Sequence, residues 1–118
     1  MPASPNQTLL IMWASFVMSH VLITAVPFLA QMQPGGGNGT VALVLPAFAL
    51  LCGTASLMAR AWLRTPNVQT AYIIRWALAE SATLFGLVSW YMTGSHTTQY
   101  ACAAIGLLAH VMAYPREQ

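Results

Sequence analysis

The sequence predicts an all-α, polytopic membrane protein, with four transmembrane helices in an antiparallel bundle forming one domain over residues 1–118. Two observations carry this reading. Only 5% of the 118 side chains are charged while 58% are hydrophobic; soluble domains carry about 25% charged residues, so this chain cannot cover a water-facing surface. The apolar residues also form continuous runs rich in Leu, Ala and Met. Such runs exclude the alternating pattern of barrel strands.

Four runs follow in order, at about 8–31, 41–63, 70–92 and 98–114. A spanning helix needs about 20 apolar residues, with about 17 to 25 tolerated; the first three runs qualify and the fourth is at the short end. Gln33 to Gly39 contains Pro34 and four glycines and cannot continue a helix. Arg64-Thr65-Pro66-Asn67 and Thr93-Gly94-Ser95 make the shorter breaks. Thr40 is the expected cap of the second helix, and Asn67 or Thr70 of the third. Short connections imply that neighbouring helices form antiparallel hairpins. Met1 to Gln7 has no Lys or Arg, so the first run reads as a retained helix rather than a signal peptide. Arg60, Arg64, Arg75 and Arg116 all fall on one side of a four-span topology. The positive-inside rule then places both termini in the cytoplasm, at a bacterial inner membrane.

Several function classes drop out. A net charge of +2 leaves no electrostatic footprint for nucleic acid. Cys52 and Cys102 sit inside apolar runs, as small buried residues rather than a disulfide framework. No nucleophile elbow, metal-binding His/Cys cluster or phosphate-cradling loop appears, and Gly35 to Gly39 reads as a turn. The expectation is a non-enzyme with no cofactor and no metal, whose partners are the lipid bilayer and further copies or other membrane subunits.

Polar groups inside the spans are costly in hydrocarbon, so function is sought there. Glu80 lies about 15 Å into the third helix at 1.5 Å per residue, near the middle of a core about 30 Å thick. Hydrocarbon penalises a charged carboxylate, and a group held there can bind and release a proton. His20 is about 18 Å deep by the same rise, beside Ser19. Thr54 and Ser56 of the second helix reach a similar level, and Ser81 and Thr83 flank Glu80. Glu80, His20, Thr54, Ser56 and Ser81 are therefore the candidate ion-binding residues. Helix glue through a neighbouring hydroxyl is the competing role for Glu80.

His110 raises haem binding, since two histidines in a four-helix bundle can ligate one haem. The same rise places it only about 6 Å from the cytoplasmic edge and about 12 Å shallower than His20, which reads as an interfacial residue. Arg60, Arg64 and Arg75 read as loop residues contacting lipid headgroups, with Arg75 alternatively supporting a proton path to Glu80. Trp13, Trp62, Trp76, Trp90, Tyr91, Tyr100 and Tyr114 read mostly as interface-belt aromatics.

The stretch Ala77-Leu78-Ala79-Glu80, followed by Phe85-Gly86-Leu87-Val88, resembles the carboxylate helix of the proteolipid c subunit of rotary ATP synthases. Ala59-Arg60 and Arg64-Thr65-Pro66 resemble its polar loop, so residues 41–93 are similar to one c hairpin. The resemblance implies that Glu80 is a proton or sodium site in an oligomer, with Arg64 and Pro66 in a cytoplasmic loop. The chain departs from the family in having only Gly53 in the first hairpin helix, and one extra helix on each side. The Arg75 to Glu80 segment is also similar to that of small bacterial four-helix membrane proteins. The functional expectation is a proton- or ion-linked subunit of an oligomer, or else a non-catalytic accessory subunit of a larger membrane complex.

Overall fold

Three of the four helices start where a side chain accepts from the otherwise unpaired N–H groups of the first turn. The computed structural model describes residues 4–31, 33–34, 39–62 and 67–115. They form α1 (Pro5–Leu29), α2 (Gly39–Trp62), α3 (Val68–Thr93) and α4 (His96–Met112). Ser4 Oγ accepts from the Gln7 N–H at 3.3 Å, and Gln7 Oε1 accepts from the Ser4 N–H at 3.0 Å. This reciprocal cap, with Pro5 in the first position, starts α1 three residues earlier than residue 8. Asn67 Oδ1 accepts from the Thr70 N–H at 3.2 Å and caps α3 as expected. Ser95 Oγ caps α4 from the Thr98 N–H at 3.3 Å. α2 begins at Gly39, so Thr40 lies within the helix instead of capping it.

The turn between α3 and α4 closes on Gly94, whose φ of 73° is left-handed and whose N–H donates to the Trp90 carbonyl at 2.7 Å. A side chain there would meet only Pro34, at 3.6 Å, so conformational strain alone sets the cost of substitution. Gly94→Ala is expected to destabilise the fold by about 1 kcal/mol. Unfolding by sodium dodecyl sulfate in mixed micelles, followed by far-UV circular dichroism, measures it.

Packing differs from the expected series of hairpins. α2 and α3, and α3 and α4, do pack as neighbours, but among the described residues α1 lies against α3 and α4 and not against α2. α1 runs parallel to α3, with Phe16 against Trp76, and antiparallel to α4, with Trp13 against His110 and Thr24 against Gln99. Residues 30–38 join Leu29 to Gly39, a reach of at most about 35 Å, so α1 is not forced to sit beside α2. Its polar groups find their partners on α3 and α4 instead.

The buried layer consists mainly of small and polar residues. Ala79, Ala82, Thr83 and Gly86 of α3 meet Cys102, Gly106 and Ala109 of α4. A Cβ added to Gly106 would stand 2.6 Å from the Ala79 carbonyl oxygen and 2.5 Å from Thr83 Oγ1, so the two backbones approach as closely as small residues allow. Leu9 is the one buried Leu, Ile, Val, Met or Phe among the described residues. Among the described residues two helices, at Asn6–Leu29 and Val68–Thr93, are long and apolar enough to cross a membrane, and Leu43–Ala59 is a shorter apolar stretch.

Candidate functional site

Glu80 lies at the middle of the 26 residues of α3, and helical spacing puts Thr83 beside it on the same face. Two consecutive α1 residues meet this pair. Ser19 Oγ donates to Glu80 Oε1, and His20 Nδ1 lies 2.5 Å from Thr83 Oγ1. His20 is 2% exposed, and Glu80 is half-buried.

α4 supplies the third side. His110 is completely buried and touches His20 edge-to-face, with ring centroids 5.1 Å apart and planes at 71°. Its Nε2 donates to the Trp13 carbonyl at 3.0 Å, and the Trp13 indole N–H donates back to the His110 carbonyl at 3.1 Å. A carbonyl only accepts, so Nε2 carries a hydrogen and Nδ1 of the neutral ring is a bare acceptor. Among the described residues that Nδ1 is buried without a hydrogen-bond partner, as is His20 Nε2. Trp76 and Phe16 pack on the same imidazole at 5.9 and 6.0 Å.

The placement of His110 as a shallow interfacial residue is therefore corrected. Depth counted inward from Tyr114 assumes that all four helices end at one level. α4 has 17 residues against 26 in α3, and its C-terminal end meets Trp76, whose indole N–H donates to the Ala113 carbonyl at 3.0 Å. α3 continues past that level to Val68, about 12 Å at 1.5 Å per residue. That overhang accounts for the whole expected offset between His20 and His110.

The other candidates separate. The hydroxyls of Thr54 and Ser81 bond back to their own helices, to the Leu50 and Ala77 carbonyls at 2.8 Å, a local satisfaction common for such residues. Ser56 is buried and donates to the Arg75 carbonyl at 2.7 Å, while Arg75 Nε donates to the Ser56 carbonyl at 3.2 Å. Arg75 also lies over the Tyr72 ring, 5.9 Å from its centroid. Its guanidinium is thus engaged in holding α2 to α3. The Arg60 side chain, Arg64 and Arg116 lie outside the described residues. Trp76 and Trp90 are buried core residues, not members of an interface belt.

The histidine pair has the wrong geometry to share a haem iron. Edge-to-face contact at 5.1 Å leaves no slot for a porphyrin between the rings, and the Trp13 carbonyl occupies one His110 nitrogen. Among the described residues no three of His, Cys, Asp or Glu come together to hold a metal ion.

Ser19, Thr83 and His110 complete the site around Glu80 and His20. Thr83 was findable from its spacing to Glu80. A further signal lay in Cys102, Gly106 and Ala109, whose spacing marks the face of α4 that turns inward. Neither a family model, nor a curated protein, nor a solved structure matches this chain.

Proposed function

We propose that the chain crosses a bacterial inner membrane four times, with both termini in the cytoplasm. In this reading Glu80, His20 and His110 hold an exchangeable proton at mid-membrane, as part of an oligomer. The distribution of side chains supports the membrane setting. Large apolar residues face outward on every helix, among them Ile11 at 63% and Leu43 at 77% exposure, with Leu51, Val88 and Leu108, while small and polar groups are inside. Water would penalise such an exterior; hydrocarbon does not, and small interfacial residues are what helix packing in lipid uses.

The observation that carries the proton reading is Glu80 in the middle of α3, hydrogen-bonded by Ser19, whose neighbour in α1 is the buried His20 in contact with the buried His110. The Nδ1 of His110 is a vacant acceptor. Dicyclohexylcarbodiimide modifies protonated carboxyls in hydrocarbon, so mass spectrometry of treated protein is expected to find modified Glu80. In proteoliposomes given an acid pulse, Glu80→Gln is expected to lower proton flux by at least about tenfold. Unmodified Glu80, or full flux in Glu80→Gln, overturns the assignment. The Ser19–Glu80 bond also suits a non-catalytic accessory subunit in which Glu80 joins helices; that reading requires Glu80→Gln to alter stability and leave flux unchanged.

A further inference from the structure

Where α1, α3 and α4 meet, two neighbouring imidazole rings each keep one nitrogen unpaired, and the two nitrogens are opposites. His110 donates from Nε2 to the Trp13 carbonyl, which leaves its Nδ1 a bare acceptor. The state of His20 follows from Thr83. Among the described residues the Thr83 hydroxyl hydrogen has no acceptor other than His20 Nδ1, unlike those of Thr24, Thr54 and Thr93, which bond back to their own helices. The Thr83 hydroxyl therefore donates to Nδ1, and the neutral His20 ring carries its hydrogen on Nε2. Among the described residues His20 Nε2 and His110 Nδ1 are both buried without a hydrogen-bond partner. One is a donor and the other an acceptor, on rings whose centres are 5.1 Å apart. Buried polar atoms are rarely left so.

We propose that one water molecule is held between these rings, accepting from His20 Nε2 and donating to His110 Nδ1. The span fits: two hydrogen bonds of about 2.9 Å meeting at one oxygen bridge nitrogens about 4.7 Å apart. The chemistry selects water as well, because the occupant must accept and donate through the same atom. A metal ion needs two bare nitrogens, and a halide ion cannot donate. The surroundings limit the size. Trp13, Phe16 and Trp76 stand 5.6 to 6.0 Å from the His110 ring, and His20 is 2% exposed, so the occupant is a single small molecule with two protein partners, as buried waters require. The water completes an unbroken line of donors: the Thr83 hydroxyl to His20, His20 to water, water to His110, and His110 to the Trp13 carbonyl. That line joins α3, α1 and α4, and it runs one way only, since the carbonyl at its end cannot donate. It gives the proposed proton site a hydrogen-bonded connection between its two histidines, and it rests on the two ring tautomers rather than on proton transfer by Glu80.

Nuclear magnetic resonance of the full chain in dodecylmaltoside, with isotope-labelled histidines and at about pH 8, above the ordinary histidine range, tests it. Long-range proton–nitrogen correlations are expected to place the hydrogen on Nε2 of both rings. The His20 Nε2–H is expected to give a rotating-frame cross-peak to water, with the sign that reports proximity and not exchange. His110→Phe keeps a ring and removes the acceptor, and there that cross-peak is expected to be lost. A hydrogen on His20 Nδ1, no water cross-peak in the native chain, a cross-peak unchanged in His110→Phe, or a scalar coupling between nitrogens of the two rings, which reports a direct bond, overturns the proposal. The tautomers, the native cross-peak and the coupling are all read on the native chain, so they decide the matter even where His110→Phe fails to fold. Carbodiimide labelling of Glu80 is measured separately, so a failure of the water site and a failure of the proton site give different results.

Discussion

Trp76→Ala is expected to cost about 3–5 kcal/mol, the largest loss among single substitutions in this chain. Trp76 is completely buried, with Phe16, Tyr72 and His110 packed on its ring at 5.6 to 5.9 Å. In a lipid setting the indole gains little from leaving water, so the cost comes from the void and the lost dispersion contacts. Two further effects add to it. The Ala113 carbonyl at the end of α4 loses its donor, and the His110 imidazole loses one wall. Trp76→Phe keeps most of the packing and loses the hydrogen bond, for about 1 kcal/mol. Titration with sodium dodecyl sulfate in mixed micelles separates the two variants; equal, small shifts would sink the assignment of Trp76 as the keystone of this end of the bundle.

Gly106→Val is expected to cost about 1–3 kcal/mol by overpacking and to disturb the site as well. The new Cβ meets a carbonyl oxygen of α3 at 2.6 Å and the Thr83 hydroxyl at 2.5 Å. A backbone carbonyl cannot swing aside, so α3 and α4 must separate and Thr83 must move relative to His20. Gly53→Ala provides the contrast. There the added Cβ meets the Cγ2 methyl of Ile105 at 2.6 Å, with the backbone no closer than 3.9 Å, so a shift of one side chain, stiff at χ1, and not a separation of the helix backbones, takes up the contact. Comparable losses for the two glycines, or retention of native stability in Gly106→Val, would contradict the close α3–α4 approach. The expected companion effect is weaker carbodiimide labelling of Glu80 in Gly106→Val alone.

The helices were legible in the sequence because their limits are local. Asn67, Gly94 and Ser95 act on the nearest turn of backbone, and Pro34 with its neighbouring glycines breaks a helix wherever that segment lies. Glu80 was legible for a similar reason, since a single carboxyl in a long apolar run stands out by itself. The rest of the site was not, because it depends on how far one helix overhangs another. His110 falls beside His20 only because α4 stops at the level of Trp76, and no property of α4 alone reports where α3 continues. The position of α1 was hidden likewise. Hydrocarbon-soluble helices of similar composition all satisfy the same apolar pattern, and the choice between α2 and α4 as a neighbour rests on individual bonds such as Trp13 to His110 and Gln99 to Thr24.

α1 exposes Leu10, Ile11, Met18, Val21 and Leu22, residues that lipid treats nearly alike. A cylinder greasy on most sides has no preferred rotation about its own axis until something breaks the symmetry. Here Trp13, Ser19 and His20 break it, their side chains bonded to α3 or α4 and all within about two turns. They act as the teeth of a key and set the azimuth of the helix. The orientation of α1 is thus written in three positions, and its outward-facing residues are free to exchange with one another through evolution without turning the helix.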